Sequence, residues 1–186
     1  SGSFSFAAVQ GSDATATNNN ATAVGGGAGP TGAAHASGES AVALGGGEPG
    51  LGANASGNFS FAGVQGSNAT ATNAVALGHS TTAGGENDFV GGANNNTGVG
   101  GNNTAVGNGI TITANGVENT VLGVGHLVNG SNNFVGGDPN EVNGNDNTVT
   151  GNDNYVDGVG NQLLGNNNGS LGSVSGALDG NELPGI

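Results

Sequence analysis

The sequence of 186 residues contains no lysine and no arginine, against 13 aspartates and glutamates, so its formal net charge is −13. Nucleic-acid binding requires cations that replace the counterions of phosphates, and anionic membranes also attract proteins through cations. We therefore expect neither nucleic acid nor an anionic membrane as a partner. An arginine clamp on a phosphate or carboxylate substrate is excluded for the same reason.

Cysteine, methionine and tryptophan are also absent. Without cysteine there is neither a disulfide framework nor a thiolate metal site. Because translation starts with methionine, a chain without one is expected to be a processed product, and removal of a signal segment would produce it. No stretch approaches the roughly 20 apolar residues of a membrane span. The lack of trypsin sites and of sulfur suits an extracellular or cell-surface location, which we predict.

A seven-residue unit, Asn-x-Val-x-Gly-x-x, runs eight times without insertion through residues 119–172. The first place is asparagine except at His126, and the third is valine except at Leu163 and Ser170. A fixed short period indicates one small unit stacked on copies of itself. Glycine holds the fifth place of every unit: Gly123, Gly130, Gly137, Gly144, Gly151, Gly158, Gly165 and Gly172.

This period predicts an all-β fold, a parallel β-solenoid of the two-sided β-roll type. Side chains two apart in a strand share a face, so the first and third places line the inside, and glycine supplies the positive φ of the corner. One seven-residue unit is one strand and one turn, which gives about 14 residues per coil. Stacked asparagines are expected to form amide ladders. A disordered low-complexity linker is the alternative, but a linker has no reason to keep valine in one phase.

A long internal repeat precedes the array, since residues 1–18 return as residues 56–73 with three differences. Its Phe-Ser-Phe alternation predicts a strand with the phenylalanines on one face. We expect that face in the core, with a binding surface as the alternative. The apolar residues of the two copies are Phe4, Phe6 and Val9, and Phe59, Phe61 and Val64.

We predict one solenoid over residues 1–186, in three parts. Residues 1–80 form duplicated coils rich in Phe, Ala and Thr, interrupted by glycine-rich loops at residues 25–32 and 45–52. Residues 81–118 are a transition, and residues 119–180 are the regular Asn-x-Val-x-Gly array.

Two stretches read Ala-Val-Ala-Leu-Gly, at residues 41–45 and 74–78, with a weaker form at residues 21–25. They resemble the head repeats of trimeric autotransporter adhesins, whose unit of roughly fourteen residues carries Ser-Val-Ala-Ile-Gly. The resemblance covers about a third of the chain. It implies a left-handed parallel β-roll, three chains side by side, and attachment to a host or surface. The matching aliphatic places are Val42, Leu44, Val75 and Leu77, and Ala41 and Ala74 stand where the family has serine.

The chain departs from that family in lacking coiled-coil heptads and basic residues. The apolar phase also differs along the chain: Val75 and Leu77 lie three and one before Gly78, whereas Val149 lies two before Gly151. A shift of one strand residue exchanges the two faces, so we expect the inner face to be built differently in the two halves.

Residues suited to chemistry are few. His35, His79 and His126 are scattered without carboxylates at ligand spacing. Asp146 and Asp153 resemble calcium-binding β-roll positions, but a period of seven puts them on opposite sides of the coil, so required calcium is not expected. We predict no catalytic, cofactor-binding or metal site, no cofactor, and no enzymatic activity.

The function that these features favour is a structural or adhesive extracellular module. The parallel solenoid exposes backbone edges at its ends, and neither end of this sequence has an evident cap. Copies are therefore expected to stack head to tail into a surface fibre or pilus-like filament. A trimeric adhesin head is the alternative. An ice-binding protein, a calcium-binding β-roll and a polysaccharide-cleaving solenoid are less favoured, and a surface or glycan target stays unspecified.

Overall fold

The chain forms a parallel β-solenoid with two sides, as the array predicts. The structure is a computed structural model that describes residues 2–8, 14–28, 31–171 and 182–183, and all regular elements in these ranges are strands. In chain order they are β1 (Phe6–Ala8), β2 (Thr15–Ala16), β3 (Thr22–Val24), β4 (His35–Ala36), β5 (Val42–Leu44), β6 (Asn54–Ala55), β7 (Phe61–Gly63), β8 (Asn68–Ala69), β9 (Val75–Leu77), β10 (Thr82–Ala83), β11 (Phe89–Ala93), β12 (Thr104–Asn108), β13 (Thr111–Ile112), β14 (Thr120–Val124), β15 (Leu127–Asn129), β16 (Phe134–Gly137), β17 (Asn140–Asn143), β18 (Thr148–Gly151), β19 (Asn154–Asp157), β20 (Gln162–Leu164), β21 (Gly169–Leu171) and β22 (Glu182–Leu183).

Successive strands alternate between two sheets, except that β11 is followed by β12 in one sheet and β21 by β22 in the other. The long sheet has the order β1-β3-β5-β7-β9-β11-β12-β14-β16-β18-β20. The opposite sheet consists of two runs, β2-β4-β6-β8-β10 and β13-β15-β17-β19-β21-β22. Parallel bridges from Asn96 to Thr82 and to Thr111 connect the runs. Each coil thus adds one strand or bridge to each side, and like positions of successive coils form straight columns.

Coil length varies along the solenoid. In the array, Phe134 pairs with Thr148 and Thr148 with Gln162, so each coil has 14 residues. Near the beginning, Thr22 pairs with Val42, twenty residues on. The extra residues are the predicted glycine-rich loops, which lie between strands and leave the column in register. Phe61 lies three coils after Phe6 in the same column, so the two copies of the 18-residue repeat occupy equivalent places three coils apart.

The interior of the array is the predicted one. The third-place side chains Val121, Val128, Val135, Val142, Val149, Val156 and Leu163 are all buried. The fifth-place glycines from Gly123 to Gly165 all have positive φ, between 111° and 153°, and Gly172 lies outside the described residues. At Gly137 a Cβ would also lie 2.0 Å from the carbonyl oxygen of Gly151 in the next coil. Both the φ angle and the stacking therefore demand glycine.

The expected shift of one strand residue between the inner faces of the two halves is wrong. Ala76 pairs with Val90, and both are fully buried, while Val75 and Leu77 on either side of Ala76 point outward. The inward phase is therefore continuous along the chain. What changes is size, because the buried column is mostly alanine in the first coils and mostly valine in the array: Ala23, Ala43, Ala62, Ala76, Val90, Ala105, Val121, Val135, Val149 and Leu163.

The expectation that the phenylalanines of the repeat belong to the core is also wrong. Phe4 is 91% exposed and Phe59 is 59% exposed, and both occupy corner positions with positive φ. Phe6 and Phe61 lie in strands, but the buried neighbour of Phe61 is Ala62. The inner space between two sheets of alanine columns is too thin for a ring, which physically explains the outward direction. Val64 is exposed as well, and Val9 lies outside the described residues.

Candidate functional site: buried ladders and an apolar outer face

Two columns of buried asparagine side chains run through the array and satisfy the backbone at its corners. In the first, Asn133 donates from its backbone N and from Nδ2 to Oδ1 of Asn119, both at 3.0 Å, and Nδ2 also donates to the Gly144 carbonyl at 2.9 Å. Asn147 repeats the pattern one coil later. Each amide thus accepts from the following coil and donates to the preceding one, as predicted. The members of the first ladder are Asn103, Asn119, Asn133, Asn147 and Asn161.

Asp88 begins this ladder. Its Oδ1 accepts from the backbone N of Asn103 at 2.8 Å, and its Oδ2 accepts from Gly85 N at 2.9 Å and from Thr97 Oγ1 at 2.6 Å. The preceding residue of the column is Ala74, which offers no acceptor, so an amide Nδ2 would face the N–H of Gly85 instead of an oxygen. A carboxylate is the side chain that accepts on both sides.

His126 begins the regular part of the second ladder and imitates asparagine atom by atom. Its Nδ1 accepts from the backbone N of Asn140 at 3.0 Å, and Nε2 donates to the Leu122 carbonyl at 3.1 Å. Asn140 makes the equivalent contacts one coil later, with Nδ2 donating to the carbonyls of Gly136 and Gly151. These partners require the neutral ring with its proton on Nε2. The ladder continues through Asn154 and Asn168.

Burial moves the pKa of both first members. Burial raises the pKa of the Asp88 carboxyl above its ordinary value, against hydrogen bonds from Thr97, Asn103 and Gly85. Burial lowers the pKa of His126, against its carbonyl partners and the nearby Asp138. Both side chains make their hydrogen bonds within the solenoid, and neither faces open space in which a substrate could lie. We assign them a structural role.

The outer face of the long sheet is the other distinctive surface, and it consists of two columns of side chains. We call these 22 residues the outer face. None is charged, and the larger apolar ones, such as Leu44, Leu77 and Leu122, remain nearly 40% exposed. The first column is Phe6, Thr22, Val42, Phe61, Val75, Phe89, Thr104, Thr120, Phe134, Thr148 and Gln162. The second is Ala8, Val24, Leu44, Gly63, Leu77, Gly91, Val106, Leu122, Gly136, Thr150 and Leu164.

Side-chain volume is matched across the two columns. Three coils pair phenylalanine in the first column with glycine in the second, whereas coils with Val or Thr in the first carry Val, Leu or Thr in the second. A Cβ on Gly63 would lie 2.9 Å from Cε1 of Phe61, and one on Gly91 would lie 3.6 Å from Cε1 of Phe89. The rings therefore lie over the glycines, which are buried beneath them. At Gly136 no ring atom comes within 4 Å. In the coils of Phe61 and Phe89 the ring therefore fills the space above the glycine and keeps the face level.

The acidic side chains of the described residues lie away from the outer face. Glu141 and Asp157 point outward from the opposite sheet, and Glu118 and Asp146 occupy a corner with positive φ. The described residues therefore form one side without charge and an opposite side, here called the acidic side, that carries Glu141 and Asp157. This contrast is absent from the composition and depends on which strand residues point outward.

The residues that the sequence singled out for chemistry are not brought together. His35 is half-buried on β4, His79 is exposed at a corner, and His126 is inside the array. Asp146 accepts from Nδ2 of Asn132, which lies one coil before it, while Asp153 lies at the other corner, above Pro139. Among the described residues, no three His, Cys, Asp or Glu side chains are placed to hold a metal ion.

The outer face was not predicted from the sequence, because the large apolar residues of the first half were expected to be buried. A usable signal was present, since in the array the inward residue lies two before the positive-φ glycine. Applied to Gly45 and Gly78, that rule selects Ala43 and Ala76 as inward and leaves Val42, Leu44, Val75 and Leu77 outside.

Comparison with known proteins gives no assignment: no protein-family model and no curated protein matches the sequence. In the part of the chain that the structure describes, no helix has the length and hydropathy needed to cross a membrane.

Proposed function

We propose that the protein is an extracellular structural or adhesive rod that associates side by side with copies of itself through the outer face. The observation that supports this proposal is the uncharged surface of the two columns, in which the rings of Phe61 and Phe89 lie over Gly63 and Gly91. A contiguous apolar surface of this kind marks interaction sites in soluble proteins. Side chains that only meet water need no matching of volume across columns, whereas side chains that pack against a partner do.

A second copy is the partner that suits this face best. Eleven strands at about 4.8 Å spacing give a strip about 48 Å long, and another copy offers a strip of the same length and chemistry. The acidic side of each copy would then remain in water, where the like charges of neighbouring rods are farthest apart. This favours the side-by-side arrangement implied by the resemblance to adhesin heads. Head-to-tail stacking into filaments stays a prediction from the sequence.

Ice binding is a weaker candidate for the same face. A flat, uncharged solenoid side suits ordered water, and Thr104 and Thr120 are neighbours in the first column. However, Phe89 precedes them and Phe134 follows them, so the threonine row ends after two coils.

The test is the oligomeric state of the purified chain in solution. We expect analytical ultracentrifugation to give a discrete oligomer, and Leu122→Glu to dissociate it by burying a charge in the interface. Leu127→Glu is the matched control, because Leu127 is also 39% exposed but lies on the opposite sheet. Circular dichroism verifies that both variants remain folded. A monomer at all concentrations, or equal dissociation by both variants, would contradict the proposal. Inhibition of ice growth by the monomer would favour the ice-binding candidate.

A further inference from the structure

A groove on the acidic side of the array lies between two short columns of side chains. Leu127, Glu141 and Tyr155 follow one another in register on β15, β17 and β19 and form one wall. Pro139 and Asp153, the corner residues directly before β17 and β19, form the other wall. The groove between the walls is open to solvent and has a volume of about 350 Å³.

The four central side chains alternate in chemistry. Glu141 lies beside Pro139 in one coil, and Tyr155 lies beside Asp153 in the next. The two carboxylates therefore occupy one diagonal of the groove and the two rings occupy the other. Adjacent coils are about 4.8 Å apart. All four side chains line the same groove, so a small group at its centre lies near each of them.

The carboxylates of the groove have no cation to pair with inside this chain. The sequence contains no lysine or arginine, and Oε1 of Glu141 accepts one exposed hydrogen bond, from Asn143 at 3.3 Å. Gly125 has no side chain, so the groove stays open at its end toward the preceding coil. A Cβ added to Gly125 would lie 3.2 Å from Cβ of Pro139. A linear side chain could therefore lie along the groove with its stem against Leu127.

We infer that this groove is a binding site for a cationic side chain, lysine or arginine, of a partner protein. The charged head would lie between Glu141 and Asp153 and over the ring of Tyr155, where a cation is attracted by both carboxylates and by the aromatic face. The aliphatic stem would cover Leu127 and Pro139. A second copy of this chain cannot supply the ligand, because it has neither residue. The site lies on the sheet opposite the outer face and does not depend on self-association.

Titration of the full-length chain with N-acetyl-lysine amide tests this inference. Tyr155 is the only tyrosine and tryptophan is absent, so tyrosine emission reports on the groove without a label. We expect the tyrosine emission to change saturably with the lysine probe. The affinity for N-acetyl-norleucine amide, which has the aliphatic stem without the charge, is expected to be at least tenfold lower. Added salt is expected to weaken binding of the lysine probe.

Two double variants with the same change in net charge separate a built site from general attraction to an acidic protein. Glu141→Gln with Asp153→Asn is expected to abolish the saturable response, whereas Glu118→Gln with Asp146→Asn at the distant corner is expected to retain it. Carboxyl-carbon NMR shifts of Glu141 and Asp153 give a second readout. A response lost equally in both variants, equal binding of the norleucine probe, or no saturation with either probe would overturn the inference.

Discussion

At the scale of single residues, the array depends on side chains that both accept and donate along the stack. Asparagine does this with one amide, and the structure admits a different residue only where the pattern of partners changes. Asp88 accepts from three donors, the backbone N–H groups of Gly85 and Asn103 and the Thr97 hydroxyl, and His126 divides the two roles between its ring nitrogens. The sequence shows that His126 replaces an asparagine, but the tautomer follows only from its partners.

His126→Asn is predicted to make the protein more resistant to acid. In wild type, protonation of His126 Nδ1 would place two donors opposite each other, Nδ1–H and the backbone N–H of Asn140. The buried N–H of Asn140 would then have no acceptor. Because the folded pKa of His126 is lowered from 6.5, the stability of the neutral ring is fully present above that value. It is lost as the pH falls through the folded pKa. Asparagine keeps equivalent hydrogen bonds and does not titrate.

Thermal unfolding followed by circular dichroism over a pH series measures this effect. The difference in Tm between His126→Asn and wild type should grow as the pH falls below 6.5. Asp88 acts in the opposite sense, because its raised pKa gives stability that is present in acid and lost as the pH rises. It is common to both proteins and leaves the difference unchanged. His79→Asn, at an exposed corner, is the control, and parallel acid curves for wild type and His126→Asn would contradict the assigned role.

At the scale of elements, the sequence predicted the strands, corners and columns of the array but not the direction of side chains in the first half. Val121 and Val149 are large residues in a regular phase, so size and position agree there. In Val75-Ala76-Leu77 they disagree, and the backbone places the small residue inside because alanine columns on both sheets leave room for nothing larger. The outer face was therefore not predictable from hydrophobicity, since its large apolar residues are of the types that are usually buried in a core.

Ala62→Val is predicted to destabilise the first half by overpacking. Ala43 and Ala76 lie before and after Ala62 in the column, all three fully buried, and an added side chain in such a core costs about 1–3 kcal/mol. The reciprocal change Val135→Ala, in the valine half, removes buried volume and should cost on the order of 2–3 kcal/mol.

Urea unfolding measures both changes as free energies of unfolding. Thr148→Val is the control, since Thr148 belongs to the outer face and its substitution should stay within about 0.5 kcal/mol. If Ala62→Val were neutral or stabilising, the first half would have space that the alanine columns do not suggest.

At the scale of the whole molecule, each coil contacts its neighbours through backbone pairing and the ladders, so stability accumulates from local terms. Strand pairing joins coils of both kinds in one long sheet, from the alanine coils of β3 to the valine coils of β18. The two asparagine ladders, in contrast, belong to the array and the end of the transition. We therefore expect the array to unfold as a cooperative unit while the first coils remain folded.

Val142→Asp tests this division. Val142 is fully buried on β17, and an unpaired carboxylate there costs several kcal/mol. We expect amide hydrogen exchange to accelerate across residues 119–168, while the coils from β3 to β9 keep their protection. Asn129→Asp adds the same charge on the neighbouring strand β15, pointing outward, and should leave protection intact throughout. Loss of protection along the whole chain in Val142→Asp would show that the solenoid unfolds as one unit, and unchanged exchange would mean that the inward phase of the array is wrong.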